Sequence, residues 1–262
     1  MDVIAKAIDE YKSNFKICLL FALLLVFVPA FILPFFRVPF FETGVTLSSG
    51  TILIDYMLSP QSIPIFVLAL VFLFFYSFLI GLICLAVRRD LSKVKVHFYL
   101  KEMVRKFAFN IFSFYAITLA LVFIPALILS SISLNLLMAF LALVFIFSVF
   151  FMFVPQAIVI DEVPLEKALS ESVIFVRKNP VISLKVVFLM AALLLLVGLI
   201  EFVLDTIALT GIFGSFVASE FIVGQIISIA ITLIFVVPFI EILKTFFYML
   251  KFDLIKRQVL MK

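Results

Sequence analysis

The chain has 262 residues, 66% of them hydrophobic and 14% charged, and its mean hydropathy is +1.39. A water-soluble domain of this length has no use for so much apolar surface, which excludes a soluble globular fold. Twenty Lys and Arg stand against sixteen Asp and Glu, a formal net charge of +4; the excess follows from topology, as argued below, and does not mark a nucleic-acid binder.

The first segment repeats Ile4, Ala7, Ile8, Tyr11 and Phe15 at helical spacing, with Lys6, Asp9, Glu10 and Lys12 on the opposite face. That pattern predicts a short amphipathic helix lying in a membrane interface. Six apolar runs follow: Ile17–Phe36, Ile63–Val87, Phe107–Ser130, Leu134–Val154, Val181–Leu204 and Ile222–Ile240. Each has about the 20 residues a helix needs to cross a hydrocarbon core. No Asp, Lys or Arg lies in them before the final turn or so, Lys185 near the start of the fifth excepted. Lipid cannot hydrogen-bond a backbone, so such runs must be helices or a closed barrel. Barrel strands would alternate strictly, whereas Ile63–Val87 is apolar on every face, so helices are predicted. The first run is too long for a signal peptide, and Asp2, Asp9 and Glu10 balance the lysines before it, so it reads as a retained helix.

Two further amphipathic segments interrupt the runs. Val96, Tyr99, Leu100, Met103 and Phe107 precede the third run, opposite His97, Lys101, Glu102 and Arg105. Leu165, Ala168, Leu169, Ser172, Val173 and Val176 precede the fifth, opposite Glu166, Lys167, Glu171 and Lys178, with Ser172 a small exception on the apolar face. The three segments begin near 4, 96 and 165, so they are 92 and 69 residues apart; the difference of 23 equals the difference in length between loops 37–62 and 131–133. Asn110 and Asn179 fall at the same offset from the second and third starts. The expected architecture is a single all-α integral membrane domain over 1–262. It has six transmembrane helices as three hairpins, each preceded by a cytoplasmic interfacial amphipathic helix, with repeats 1–90, 91–160 and 161–262.

Nineteen of the twenty basic residues fall in the N-terminal segment, the second and fourth gaps and the tail; only Arg37 falls in the other gaps. Short loops with that bias stay in the cytoplasm, which predicts a cell-membrane protein with both termini inside. Lys101, Arg105, Lys106, Arg177 and Lys178 are the candidate contacts for anionic lipid headgroups. A second copy or another membrane protein is a further candidate partner.

The polar residues near the spans admit two readings each. Glu201 and Asp205 share a helix face at the outer end of the fifth span and read as a cation or proton entry or, preferably, as a helix end reaching water. Glu241 and Lys244, just after Pro238, read as a gate pair or, preferably, as the interface where the sixth helix ends. Asn110 is expected to bond between helices. Cys18 and Cys84 read as reduced thiols, and His97, the only histidine, has no second ligand beside it, so no metal site is expected. The glycines of Gly211-Ile-Phe-Gly214 follow no strand and carry no Lys, so they form no phosphate loop. No cofactor is expected, and no catalytic residues are singled out.

The stretch from Phe153 to Pro180 is the most informative. Pro155 should kink or end the fourth helix, and Pro238 is a further kink near a span end. Asp161 and Glu162 stand ahead of Pro164, taken as the first residue of a helix, where negative charge suits the dipole; Arg177 and Lys178 suit its other end. Asn179 is expected to cap the fifth span, with Pro180 at its first position. The order of Pro155, Glu162, a Leu-x-x-Ala-Leu-x-x-Ser helix through Ala168, Leu169 and Ser172, then Arg177 and Asn179 resembles the membrane domain found beside some glycerophosphodiester phosphodiesterases, and the six-span prokaryotic proteins related to it. The resemblance covers near 30 residues. It implies a bundle of six helices without chemistry of its own, since the catalytic barrel of those enzymes is absent here. Three functional readings remain, in descending order. The first is a non-enzymatic lipid-contacting or scaffolding bundle, the second a small transporter or channel component. The third is a membrane-embedded enzyme, for which clustered polar groups are wanting.

Overall fold

A computed structural model describes residues 5, 7–16, 19, 23, 25, 26, 63–92, 103–211 and 227–251. The described residues are helical throughout, with short turns and no strand. Helix α1 covers 7–16 and α2 covers Ile63–Ser92. A π-helical turn, Val104–Ala108, runs into α3, Phe109–Ile132. Next come α4, Leu134–Phe151, and α5, Val154–Ile160. The chain continues through α6, Leu165–Lys178, and α7, Pro180–Gly211. A second π-helical turn, Thr232–Val236, leads into α8, Val237–Met249.

Five stretches are long and apolar enough to cross a membrane: Phe66–Ser92, Val104–Ala126, Asn135–Ile160, Pro180–Leu204 and Ile227–Met249. They coincide with five of the six expected runs, and the build is that of a multi-pass helical membrane protein. Most of the remaining run, Ile17–Phe36, and most of the second amphipathic segment lie outside the described residues.

The core sits at one end of the bundle. Leu79, Ile80, Cys84 and Val87 of α2 are buried there, with Phe107 and Ile111 where α3 begins, all of α5, and Ile242, Leu243 and Phe246 of α8. α2, α5 and α8 pack on one another, with α3 and α6 flanking them. At the far end Ile124 and Ile128 of α3, Leu136 and Met138 of α4, and Leu195 and Phe202 of α7 are exposed.

Two prolines shape this core, each by the donor it lacks. Pro155 cannot supply an N–H to the preceding turn, and its ring crowds the carbonyl four residues back. The fourth span accordingly breaks after Phe151 and restarts at Val154. Ser172 of α6 repairs the break: its Oγ accepts from Phe153 N (3.2 Å) and donates to Phe150 O (2.8 Å). The residue that interrupts the apolar face of α6 is thus its anchor to the broken span. Pro238 likewise leaves Ile234 O without the usual donor, four residues back. The helix widens there into a π-helical turn, with Val237 N–H reaching Thr232 O, and the Tyr11 hydroxyl of α1 donates to Ile234 O at 2.9 Å. Phe15 and Phe235 pack beside it with tilted rings, centroids 6.4 Å apart. The first helix of the chain therefore closes onto the last span.

Three local expectations are corrected. Pro164 is extended (ψ 162) and precedes α6, its carbonyl accepting from Ala168 N; the helix begins at Leu165. Asn179 stands at the start of α7, its carbonyl accepting from Ser183 N, but its side-chain amide donates backwards to Phe175 O at 3.1 Å and closes α6. A helix end leaves four carbonyls open, and the short Asn side chain reaches one of them. Asn110 does the same, donating to Lys106 O within its own helix at 2.8 Å rather than between helices.

Candidate functional site

The densest polar cluster is inside the core, on the three helices that meet there. Glu241 and Lys244 of α8 form an ion pair of 2.6 Å, with 5% and 7% of each residue exposed. An i,i+3 spacing brings them together on one helix face. α5 contributes Gln156, fully buried, whose Nε2 donates to the second carboxylate oxygen of Glu241 at 2.7 Å. α2 contributes Cys84, a buried free thiol 3.8 Å from Gln156 Nε2 and 3.4 Å from Thr245 Oγ1. Thr245 Oγ1 in turn donates to Glu241 O at 2.7 Å. Gln156 Oε1 is buried and accepts from no described group. Removing a charge pair from water is costly and is tolerated where the remaining lone pairs find donors; here both carboxylate oxygens do.

A second polar layer lies between this centre and the basic end. The turn after α5 carries Asp161 and Glu162, and each ties α5 to a different neighbour. Asp161 Oδ2 accepts from Tyr248 Oη and from Lys251 Nζ, both at 2.6 Å, and the Lys251 ammonium also sits 4.0 Å from the Tyr248 ring centroid. Glu162 pairs with Arg88 Nη2 at 3.0 Å and with Lys106. Arg88 Nη1 further donates to Val159 O at 2.8 Å, filling an open carbonyl at the end of α5. Glu162 has φ 55, a left-handed backbone that glycine adopts freely and glutamate does not. Its two cationic partners hold it there. They also keep its carboxyl below the usual carboxylate range, the Lys106 hydrogen bond acting most strongly, burial opposing and Arg88 adding to the effect.

Of the residues singled out in the sequence, the structure brings together Glu241 and Lys244, and places them inside the protein rather than at its surface. Pro155 and Pro238 lie one and three residues ahead of Gln156 and Glu241. Arg105, Arg177 and Lys178 are exposed on the basic rim, as is Lys106 despite its pairing. Pro180 opens α7 and is exposed. Glu201 is partly buried toward the far end of α7, away from the centre. Lys101, His97, Cys18 and the side chain of Asp205 lie outside the described residues. Gln156, Asp161 and Tyr248 were not singled out beforehand as site residues. One signal was available for Gln156: it is the one polar residue among the seven of Val154–Ile160.

No protein family, curated protein or solved structure was found to match the chain.

Proposed function

We propose that the chain is a non-enzymatic membrane bundle of six spans in three hairpins, whose basic rim rests on anionic lipid headgroups at the cytoplasmic face of the cell membrane. It acts there as a lipid-contacting scaffold. One observation carries the reading. Three carboxylates near the basic end are paired with cations of the protein, Asp161 with Lys251, Glu162 with Arg88 and Lys106, and Glu241 with Lys244, while Asp9 and Glu166 stay exposed. Arg105, Lys167, Arg177 and Lys178 are left exposed, and none pairs with a described residue. The rim thus presents positive charge beside apolar helix faces, and each such residue contributes about 1 kcal/mol of attraction to an anionic surface, screened by salt. α1 packs on the last span and α6 on α4 and α5, so two of the amphipathic helices lie against a span outside their own hairpin, which supports equivalent units.

The test is lipid retention. Protein purified from a mixed bilayer should carry anionic lipid through washing, less so as salt rises. Changing Arg105, Arg177 and Lys178 together to Gln should cut the retained anionic lipid several-fold while the melting temperature holds. Lys106 is spared because it also holds Glu162. Retention equal in wild type and triple variant would overturn the proposal. The buried Glu241–Lys244 pair favours a second reading, a transporter, since ionisable groups inside a membrane protein often mark an ion path. Uptake into liposomes abolished by Glu241→Gln would select it.

A further inference from the structure

We propose that the exposed face of α7 holds one anionic phospholipid, with its phosphate at Lys185 beside Arg177 and Lys178 and one acyl chain along Phe188 and Leu195. The proposal rests on the lipid-contacting reading above and gives it a defined site. Among the described residues Lys185 is the one exposed cation that lies more than a turn inside a span. It pairs with no described residue. Lys244 also lies inside a span, but it is buried and has Glu241. A charge that faces lipid is costly unless it reaches water or an anion. Lys185 stands five residues after Pro180, about 7–8 Å along the helix axis. Helix side chains lean toward the N-terminus, which in α7 is the basic end, so the lysine stem carries its ammonium back toward the α6–α7 junction. Arg177 and Lys178 close α6 at that junction, exposed and likewise without a described anion.

The face beside these cations suits a lipid tail. Val181, Lys185, Phe188 and Leu195 share one side of α7 and are exposed, while Ser183, Val186 and Val197 on the other side are buried. Lys185 and Leu195 are ten residues apart, about 15 Å, which is half of a hydrocarbon core roughly 30 Å thick and so the depth of one acyl chain. α3 beyond Asn110 and α4 also expose apolar residues but contain no Lys or Arg, so charge singles out α7. A second copy is a poor cover for this face. A two-fold axis along the membrane normal would bring two Lys185 side chains together at one depth, where like charges repel strongly in a medium of low dielectric constant. A lipid phosphate supplies the anion that Lys185 lacks, and the chains esterified to the same glycerol then lie on the apolar stripe.

Photolabelling of the full chain tests this, in phosphatidylcholine vesicles doped with phosphatidylglycerol that carries a diazirine on one acyl chain. Irradiation should label 188–195 several-fold above the exposed parts of α3 and α4. Lys185→Leu should bring α7 down to their level and leave the α3 and α4 label unchanged, which also shows that the variant folds. Lys185→Arg should keep the enrichment. The same diazirine on phosphatidylcholine should label the three helices evenly, and soluble glycerol phosphate in excess should not compete. Even labelling by phosphatidylglycerol, enrichment that survives Lys185→Leu, or exclusion of label from α7, as a covering second copy would give, overturns the proposal. Competition by glycerol phosphate also overturns it, making the site one for a free phosphate. Even labelling with lipid retention still lost in the Arg105, Arg177 and Lys178 triple variant strikes the site alone. Retention unchanged in that variant strikes the reading on which the site rests.

Discussion

The last span and the fifth are made of nearly the same residues, yet they live in different surroundings. In Ile227–Met249 half of the most apolar window is buried inside the protein; in Pro180–Leu204 the figure is 11%. Hydropathy does not separate them, at 2.2 and 2.8. What separates them is polar content placed inward: the last span carries Glu241, Lys244, Thr245 and Tyr248, each buried and each bonded, whereas the fifth has one polar anchor of this kind, Ser183. In a bilayer, apolar side chains gain little by leaving lipid for protein, and helices associate through close packing and hydrogen bonds. The polar end is therefore the end that holds the bundle together, and the far halves are held mainly by connection to it.

The sharpest way to break this contrast is to remove one member of the central pair. Lys244→Met leaves an ionised, buried Glu241 without its cation and should cost about 3–5 kcal/mol, read as unfolding in a denaturing detergent titration. The double variant Glu241→Gln with Lys244→Met should recover most of that loss, because no charge is then left uncompensated. A double variant as unstable as the single one would mean that the pair does more than satisfy itself.

The turn after α5 comes next in size. Glu162→Ala removes the anion that Arg88 and Lys106 share and should cost about 1–3 kcal/mol. Glu162→Gly loses the same bonds but relieves the left-handed backbone at φ 55, so it should be more stable than the Ala variant by about 1 kcal/mol. The reverse order would show that the backbone there is not strained. The same carboxylate sets an acid limit. Its pKa is lowered on folding, so its contribution is present above the ordinary carboxylate range and is lost as pH falls through the lowered value. Glu10 acts with the opposite sign. Burial, then the neighbouring Asp90 carboxyl, raises it from 4.5 to about 7, so docking of α1 weakens as pH rises across that interval and is level above it. In melting curves against pH, Glu10→Gln should remove the fall toward neutrality and Glu162→Gln the fall in acid.

Much of this architecture is written in the chain, and the part that is not has a physical reason. Apolar runs of helical length located five spans, because the bilayer imposes one length on all of them, but the fourth span runs six residues and the last nine residues past the expected ends. Pro155 foretold a break and Pro238 a widened turn, because a missing N–H is a local property, whereas Pro125 lies within α3 without interrupting it. What fills the vacancies was not legible. Ser172 serves Phe150 and Phe153 from about twenty residues away, and Tyr11 serves Ile234 from 223 residues away; Ser172 showed as a polar exception on an apolar face, but nothing in the hydrophobic pattern names the partner of either. Glu241 and Lys244 were visible as a pair, but their burial depends on α2 and α5 closing over them, which spacing along α8 does not encode.

Tyr11 tests whether the closure of α1 onto the last span belongs to the stabilising end. Tyr11→Phe keeps the ring against Phe235 and removes only the donor to Ile234 O. The loss should be about 1 kcal/mol, and hydrogen exchange should rise in 232–238 and little elsewhere. Exchange rising throughout the bundle would make α1 part of the core rather than a clasp on it.

The smallest effect belongs to the far face of α7. Val181, Phe188, Leu195 and Phe202 recur every seventh residue and form one stripe, 64%, 73%, 70% and 68% exposed. Leu243 of α8 is 1% exposed. Leu243→Ala empties packed space and should cost about 2–5 kcal/mol. Leu195→Ala removes a similar side chain from a surface that lipid tails solvate as well as protein does, so the bundle should change by less than about 0.5 kcal/mol. Equal costs would abolish the distinction between the two ends. A cost at Leu195 that grows with protein concentration would instead show that a second copy covers the stripe. The weak packing of the far halves would then be a property of the single chain and not of the assembly.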